Sequence, residues 1–246
     1  MSSASLPLPV GVLDVPHWRV VFRPHQFEAE ALESLADCRR AVEANRVSLR
    51  GWDYPHISPD PTEFGYRTNW IESWSSFMGH LEYWRFYQSR QFVHLFSVRE
   101  STRQGWREKL KADAAGHSFG MEDFDWDTVP GFISIENFIY CVTEIFEFAT
   151  RLCQAQVYND RVLITIELHD IRGFVLTTGW NRAWYKHCAS SEEKLSKTWD
   201  VAAGELIGSQ DAAVRAAIWF FERFGWEAPS PEVIRRDARA LLERKI

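Results

Sequence analysis

The sequence has few cysteines, and they are arranged neither for metal binding nor for a disulfide scaffold. Four of the 246 residues are cysteine, without close pairs and without a dense cluster. This excludes the common cysteine-based zinc modules and the small disulfide-stapled secreted folds. A reducing cytoplasm is therefore the compartment that we expect. The cysteines are Cys38, Cys141, Cys153 and Cys188.

Long apolar runs are also missing. No stretch of about 18 apolar residues occurs, so the sequence predicts no transmembrane helix. The N-terminal stretch has no basic start, and Pro7 and Pro9 interrupt its apolar run, which argues against a secretory signal peptide. We therefore expect no membrane partner, and we expect residues 1–16 to form a flexible arm.

Positive charge and catalytic motifs are scarce as well. The formal net charge is −6, so the molecule as a whole does not attract nucleic acid or acidic membranes. The sequence contains no phosphate-binding P-loop, no dinucleotide-binding glycine pattern, no G-x-S-x-G elbow and no H-E-x-x-H motif. These absences argue against the common enzyme classes without excluding an unusual one. We expect no cofactor and no bound metal.

Aromatic residues, by contrast, are abundant. They make up 15% of the chain, with 12 Trp and 17 Phe, which indicates a bulky core and half-buried sheet faces. The clearest pattern is an amphipathic helix at residues 134–156, whose apolar residues recur at the three-then-four spacing of one helical face. Glu144 is expected on the opposite, polar face. The helix is too charged to cross a membrane, so its apolar stripe must pack against protein.

Several stretches predict strands that this helix would cover. Residues 17–22 and 70–77 are strand-like runs, and at 162–168 residues alternate between the two faces, as they do in strands. The best hairpin lies at 80–98, where two aromatic-rich arms flank a short turn. Further helices are predicted at 27–46 and in the C-terminal part of the chain.

These patterns together predict an α+β fold. We expect a largely antiparallel, aromatic-rich sheet covered by one long central helix, with additional C-terminal helices. The sequence shows no convincing linker, so we expect residues 17–246 to form a single domain. Two lobes, 17–130 and 131–246, are the alternative.

The hairpin carries the first candidate site. His80 and Glu82 share one strand face, and His94 lies on the neighbouring arm. Two imidazoles and a carboxylate are the groups used for acid–base catalysis and for binding a divalent metal. The alternative is a polar cluster that is hydrogen-bonded within a half-buried sheet face.

A second candidate site resembles the wall of a ligand pocket. Aromatic residues and a carboxylate precede a proline-broken loop, a composition typical of such walls. The alternative is that these aromatic residues close one end of the core. The ligand-binding candidates are Trp52, Asp53, Tyr54, His56 and Trp84.

Two further charged patterns are candidates. Basic residues at four-residue spacing would form a phosphate-contacting stripe if this segment is helical, although a solvated helix face is the favoured explanation. Glu167 and His169, followed by Asp170, mark a polar face of a late strand, for which the alternative is simple solvent exposure. The phosphate-binding candidates are Arg99, Arg103, Arg107 and Lys111.

Four blocks give the chain a family resemblance: LRGWDYPHI, HLEYWRFYQSRQFVHLF, TEIFEFATRL and FERFGW. Through them, residues 46–226 resemble an uncharacterised bacterial protein family. Similar segments in that family sometimes follow a Schlafen/AlbA-type DNA-binding domain. The resemblance transfers no catalytic residue, and it implies a nucleic-acid-related or defence-related role.

The leading functional hypothesis is a non-catalytic cytoplasmic binding or assembly module. Its expected partner is another protein or a second copy of the chain, and a local basic patch would allow contact with nucleic acid. The alternative is a metal-dependent or acid–base hydrolase that uses His80, Glu82 and His94.

Overall fold

A computed structural model of the protein describes residues 8, 10–102, 105, 108–109, 111–112, 125–178 and 188–246. Within these residues a seven-stranded antiparallel sheet is covered by one long helix, and further helices follow toward the C-terminus. The predicted α+β fold with an aromatic-rich core is therefore confirmed.

The seven strands form one continuous sheet. The strands of the chain are β1 (His17–Pro24), β2 (Val47–Ser48), β3 (Asp53–Tyr54), β4 (Phe64–Tyr66), β5 (Trp70–Phe77), β6 (His80–Tyr87), β7 (Phe92–Ser97), β8 (Phe132–Ser134), β9 (Arg161–His169), β10 (Val175–Thr177) and β11 (Lys194–Ala202). The order in the large sheet is β11-β9-β1-β7-β6-β5-β4, with every neighbouring pair antiparallel. Two small pairs, β2-β3 and β8-β10, lie outside it.

The helices lie mainly on one side of this sheet. They are α1 (Leu35–Asn45), α2 (Arg99–Thr102), α3 (Ile135–Gln154), α4 (Ala203–Gly208), α5 (Asp211–Arg223) and α6 (Pro231–Leu242). None of these described helices is long and apolar enough to span a bilayer.

Helix α3 begins and ends where its sequence provides caps. The Ser134 hydroxyl accepts a hydrogen bond from the Asn137 backbone N–H at 3.2 Å, as an N-cap residue does. At the other end Gln156 takes a left-handed conformation with φ 58°, and the Val157 N–H donates to the Leu152 carbonyl at 2.9 Å. This backbone reversal is the usual C-terminal cap. The helix is therefore slightly shorter than the predicted 134–156.

The apolar stripe of α3 packs on one face of the sheet. The Phe138 ring lies 4.8 Å from that of Trp18 on β1, between ring centroids. About three helical turns further on, the Phe148 ring lies 5.1 Å from Phe92 and 6.0 Å from Phe22, between ring centroids. These contacts bury the aromatic face of the sheet, as the sequence predicted, and they form the centre of the hydrophobic core.

Strands β5 and β6 are joined by a tight turn, Met78–Gly79. Both residues have positive φ, 48° and 81°, which is the geometry of a type I′ hairpin turn. Glycine adopts this conformation without steric cost. The turn places the ends of the two strands, Phe77 and His80, directly opposite each other.

Two predicted segments differ from the structure. The predicted helix 27–46 begins only at Leu35, because the Ser34 hydroxyl caps it and the preceding Leu32 N–H donates to the Gln88 carbonyl instead. Phe27, expected on the buried side, is 78% exposed. In the predicted flexible arm, Val10 and Val12 are buried against the sheet.

The N-terminal segment covers part of the second face of the sheet, over β6 and β7. Val10 and Val12 are buried and form a small cluster with Tyr83 and Leu95, on the side opposite α3. The main core cluster contains residues from both sides of Gly131. The division into one domain or two lobes stays a prediction.

Candidate functional site

A cavity of about 220 Å³ lies between α3 and the sheet, beside the β5-β6 turn. Its walls come from β1, β5, β6 and β7, from the segment 50–54, from Arg99 of α2 and from the N-terminal half of α3. Residues from both sequence-predicted sites line it: His80, Glu82, His94, Trp52, Asp53 and Tyr54. The structure therefore merges the two predicted sites into one.

The centre of the cavity wall is the buried carboxylate of Glu82. Its Oε1 lies 2.8 Å from His94 Nε2 and accepts the His56 backbone N–H at 2.8 Å. Its Oε2 lies 3.1 Å from His80 Nε2 and accepts the Trp52 indole N–H at 2.7 Å. Each carboxylate oxygen thus has two nitrogen partners.

The sheet register explains why the hairpin histidines converge. In the β6-β7 pair Trp84 stands opposite His94, so His94 lies diagonally across from Glu82 on the same face. His80 is two residues from Glu82 and shares that face. The convergence that the sequence left open is therefore present.

The remaining predicted pocket residues lie just behind this wall. The His56 ring stacks on the Trp52 ring, with 3.8 Å between centroids, and the His56 carbonyl accepts the Trp84 indole N–H at 2.5 Å. Trp84 is fully buried in the core. These two residues position Trp52 and the loop instead of lining the cavity.

The charge states of the central pair follow from burial and hydrogen bonding. Burial alone would raise the pKa of Glu82, but the neighbouring imidazoles of His94 and His80 and their hydrogen bonds hold it well below its usual range. Burial lowers the pKa of His94, with the charge of Glu82 opposing. Near neutral pH the cluster therefore contains an ionised carboxylate and a neutral His94.

Three buried polar atoms around the cavity have no hydrogen-bond partner in the described part of the chain. They are the Tyr54 hydroxyl, His94 Nδ1 and His80 Nδ1. Tyr54 and His94 lie side by side, with ring centroids 4.8 Å apart. These atoms have almost no accessible surface, so they lie within the cavity wall and each lowers stability as a buried polar group without a partner.

Two stacked aromatic pairs form the apolar walls. Trp18 and Phe96 are parallel within 8°, with centroids 5.7 Å apart, and both are buried. Trp52 and Phe77 are parallel within 14°, with centroids 5.9 Å apart. Phe77 is 57% exposed and the neighbouring Met78 67%. Because these two residues both line the cavity and contact solvent, they mark its mouth.

The opposite wall contains a buried ion pair that the sequence analysis missed. Arg50 donates to the two oxygens of Glu144 at 3.1 and 2.5 Å and to Asn137 Oδ1 at 2.5 Å. The prediction that Glu144 lies on a solvent-facing side of the helix is wrong, because Arg50 from a distant loop covers it. Burial raises the pKa of Glu144, and the charge of Arg50 opposes this shift.

Further polar groups lie next to the Arg50–Glu144 pair. The buried carboxylate of Glu100 accepts the Asn137 side-chain amide at 2.8 Å. Burial raises the pKa of Glu100, and the hydrogen bond from Asn137 counteracts it. Cys141, between Asn137 and Glu144 on the helix, is also in the cavity wall. Burial raises the pKa of its thiol to about 11, so it is not a reactive thiolate.

The arrangement does not resemble a metal centre. Among the described residues no group of three His, Cys, Asp or Glu side chains is placed to hold a metal ion. Both oxygens of Glu82 face N–H groups, two of which, from Trp52 and the His56 backbone, cannot act as metal ligands. The geometry therefore favours the acid–base form of the hydrolase alternative over the metal-dependent form.

Only two residues of the predicted phosphate-binding stripe lie within the described part of the chain. Arg99 lines the cavity, and Lys111 forms an ion pair with Asp127. Arg103 and Arg107 lie outside the described residues. The stripe stays a prediction.

The third polar pattern lies on the other face of the sheet. Glu167 pairs with Arg19 and Lys194, each at 3.0 Å, and with His169 at 2.9 Å. Burial opposes these interactions, but together they lower the pKa of Glu167 to about 2. Asp170 lies 3.8 Å from His17. The described partners satisfy Glu167 without a ligand, which fits a structural network.

We expect the stability of the protein to fall as pH is lowered below about 6.5. The pKa of His94 is lower in the folded chain than in the unfolded chain. Between the folded and the unfolded pKa of His94, only the unfolded chain binds the proton. The contribution of neutral His94 to stability is therefore fully present above this pH range and is lost as pH falls through it. Chemical denaturation at a series of pH values measures this slope.

The variant His94→Gln tests whether His94 is responsible. Glutamine can donate to Glu82 but does not titrate, so the slope between about pH 7 and about pH 5 should become flatter. Burial also lowers the pKa values of His17 and His56, so the slope should not disappear. A slope equal to that of the wild type would contradict the role of His94.

The site thus combines an ionised carboxylate held by imidazoles, two stacked aromatic pairs and a buried Arg–Glu pair around one cavity. Apolar walls with a few convergent polar groups are typical of small-molecule sites. This interpretation depends on the geometry alone. Comparison of the chain with protein-family models, with curated proteins and with solved structures found no match.

Proposed function

We propose that this protein binds a small organic molecule in the cavity between α3 and the β5-β7 end of the sheet. The observation that supports the proposal most directly is the cavity itself, whose wall combines aromatic rings with the Glu82 carboxylate and its two histidine partners. The proposal makes the binding-module hypothesis more precise, because it states what kind of molecule is bound and where. A role beside a nucleic-acid-related or defence system in the cytoplasm remains part of that hypothesis.

The size of the cavity supports a ligand with one or two rings. An engineered apolar cavity of about 150 Å³ holds benzene. The cavity here measures about 220 Å³ and opens at Phe77 and Met78. It exceeds the space that a single water needs, and it is smaller than most drug-sized sites.

Acid–base catalysis in the same cavity is the second candidate function. One observation favours it: Glu82 contacts Nε2 of His94, and Nδ1 on the other edge of the ring has no described partner. A carboxylate that fixes the tautomer of an imidazole is the usual support of a general base. If the protein hydrolyses a neutral ester or amide, His94→Gln should lower kcat by at least about a hundredfold.

Fragment binding tests the proposed function. We expect one- and two-ring aromatic fragments to bind the full chain with about millimolar affinity, detected by saturation-transfer NMR and by a rise in Tm. Phe77→Ala should weaken binding by about tenfold, because it removes an aromatic wall at the mouth. The variant should fold normally, since Phe77 is 57% exposed.

The matched control is Phe27→Ala. It makes the same chemical change at a residue that is 78% exposed and does not line the cavity. Binding should be the same as in the wild type. If no fragment binds, or if both variants lose binding equally, the proposed function is wrong.

A further inference from the structure

The seven-stranded sheet ends in two very different edges. At one edge β4 has three residues, and a very short edge strand is a usual protection against pairing with another chain. At the other edge β11 has nine residues, and its pairing with β9 runs without a break from Lys194 to Ala202. It contains no proline, and in the described part of the chain its outer side pairs with no strand. This edge is therefore long and regular.

The inner pairing of β11 identifies the backbone groups that face outward. One step beyond the last pair of the register, the Ala203 N–H donates to the Asp160 carbonyl at 2.7 Å. Backbone groups alternate in direction along a strand, so the odd-numbered residues of β11 face β9 and the even-numbered residues face outward. The Asp200 carbonyl agrees with this, since it accepts a side-chain N–H of Arg161 at 3.0 Å. Thr198, in the middle of the strand, is one of the outward-facing residues, and it is exposed.

The charged side chains of β11 are held on their own chain. Edge strands are often protected by lysines that keep other strands away. Here Lys194 pairs with Glu167 at 3.0 Å, and Asp200 pairs with Arg161 at 2.8 Å. The Lys197 ammonium lies 6.0 Å from the centre of a tryptophan ring of α5. Because each charge has a place on its own molecule, a second strand can approach the edge.

The sequence of β11 is complementary to itself. If a second copy lies antiparallel with Thr198 opposite Thr198, all nine residues are paired and outward-facing backbone groups meet each other. A leucine then meets a valine, a lysine meets a tryptophan, and no like charges stand opposite each other, which favours the pairing. Moving the centre by one residue to Lys197 would place two lysines opposite each other. The pairs are Thr198 with Thr198, Lys197 with Trp199, Ser196 with Asp200, Leu195 with Val201 and Lys194 with Ala202.

We propose that the protein forms a symmetric dimer in which the β11 strands of two copies pair and the sheet continues through both. About ten backbone hydrogen bonds would join the strands, two for each pair of outward-facing residues. Trp199 and Trp219 lie beside this edge, half-buried and 6.1 Å apart between ring centroids, and they add the aromatic surface that is common in interfaces. The inference does not depend on the proposed function, because no residue of β11 lines the cavity.

Sedimentation velocity of the full chain tests the proposal. We expect a dimer at about 50 μM, as for a dissociation constant in the micromolar range or below. Thr198→Pro should give a monomer, because proline removes an outward N–H at the centre of the pairing while the bonds to β9 stay. Thr198→Val is the matched control. It removes the hydroxyl, which lies 2.8 Å from that of Thr165, and keeps the N–H, so it should remain a dimer.

Cysteine cross-linking tests the register and does not require the proline variant to fold. Opposite residues of a hydrogen-bonded pair lie about 5.5 Å apart between Cα atoms, which a disulfide can span. Thr198→Cys should therefore give a covalent dimer under mild oxidation with diamide. Ser196→Cys is the matched control, because Ser196 is also exposed but its two copies would lie at least about 13 Å apart. The four native cysteines are buried and should not react.

The outcomes decide the proposal. A wild-type chain that sediments as a monomer at about 50 μM overturns it, and so does a folded Thr198→Pro variant that stays dimeric. Equal cross-linking of the two cysteine variants also overturns it. Far-UV circular dichroism and Tm show whether the proline variant is folded. If it is not, a covalent dimer of Thr198→Cys without one of Ser196→Cys supports the pairing of β11 strands.

Discussion

Replacing Glu82 by Gln is expected to lower the free energy of unfolding by about 3 kcal/mol. The carboxylate has four nitrogen partners, from Trp52, His56, His80 and His94. An amide has only one acceptor oxygen, and its NH₂ group would face N–H donors. His94 is buried and the other three donor residues are partly buried, so water would replace the lost acceptor only incompletely. Urea denaturation at about pH 7.5 measures the loss.

The control for this prediction is Glu43→Gln. It makes the same chemical change at an exposed carboxylate that pairs with Arg39 at 2.7 Å on one helix. Such a pair contributes at most about 0.5 kcal/mol. If Glu82→Gln costs no more than this control, the carboxylate does not organise the cavity wall.

Replacing Arg50 by Met should lower the free energy of unfolding by about 3–5 kcal/mol. Methionine fills much of the space of the arginine stem but leaves Glu144 buried without its cation. Burial already raises the pKa of Glu144, and the loss of Arg50 removes the main opposing effect. The cost should therefore be larger at about pH 8 than at about pH 5, since protonation of Glu144 relieves it.

The direction of this pH effect is the one expected for a carboxyl group with a raised pKa. A carboxyl group with a raised pKa binds a proton in the folded chain before the unfolded chain does, so stability falls as pH rises through the folded value. The double variant R50M/E144L removes both charges and should recover most of the loss. A double variant as unstable as Arg50→Met would contradict the ion-pair explanation.

An exposed ion pair supplies the control for Arg50→Met. Arg172 and Glu193 lie 3.2 Å apart and are both exposed. Arg172→Met should change the free energy of unfolding by less than about 0.5 kcal/mol, because solvent screens such pairs. Comparable losses in the two variants would show that the buried Arg50–Glu144 pair stabilises the fold no more than an exposed pair does.

The sequence predicted the parts of the site that depend on local periodicity. Alternation placed His80 and Glu82 on one strand face, and the short turn made the arm with His94 a neighbour. The register, which decides that His94 lies diagonal to Glu82, depends on the whole sheet and could only be seen in the structure. Trp52 was predicted to line a pocket because of the composition of its segment. Its hydrogen bond to Glu82 joins residues 30 positions apart, which local composition does not reveal.

Other features lay beyond local pattern. Glu144 follows the helical period of the polar face, and its burial depends on Arg50, which is 94 positions away in sequence. Strand β11 was not predicted because most of its side chains are exposed at the edge of the sheet, so it has no apolar alternation to detect. The periodicity of a sequence indicates which side of a helix or strand faces the core. It does not indicate which distant loop covers the other side.

The exposed turn Met78–Gly79 has a consequence for the kinetics of the cavity. Phe77 and Met78 stand at its mouth and are exposed, whereas Tyr54 and His94, which also line it, are buried. Side-chain size at the turn would then set how fast molecules enter and leave, and the interior would set how tightly they are held. Residence time and affinity can therefore evolve at separate positions of this chain.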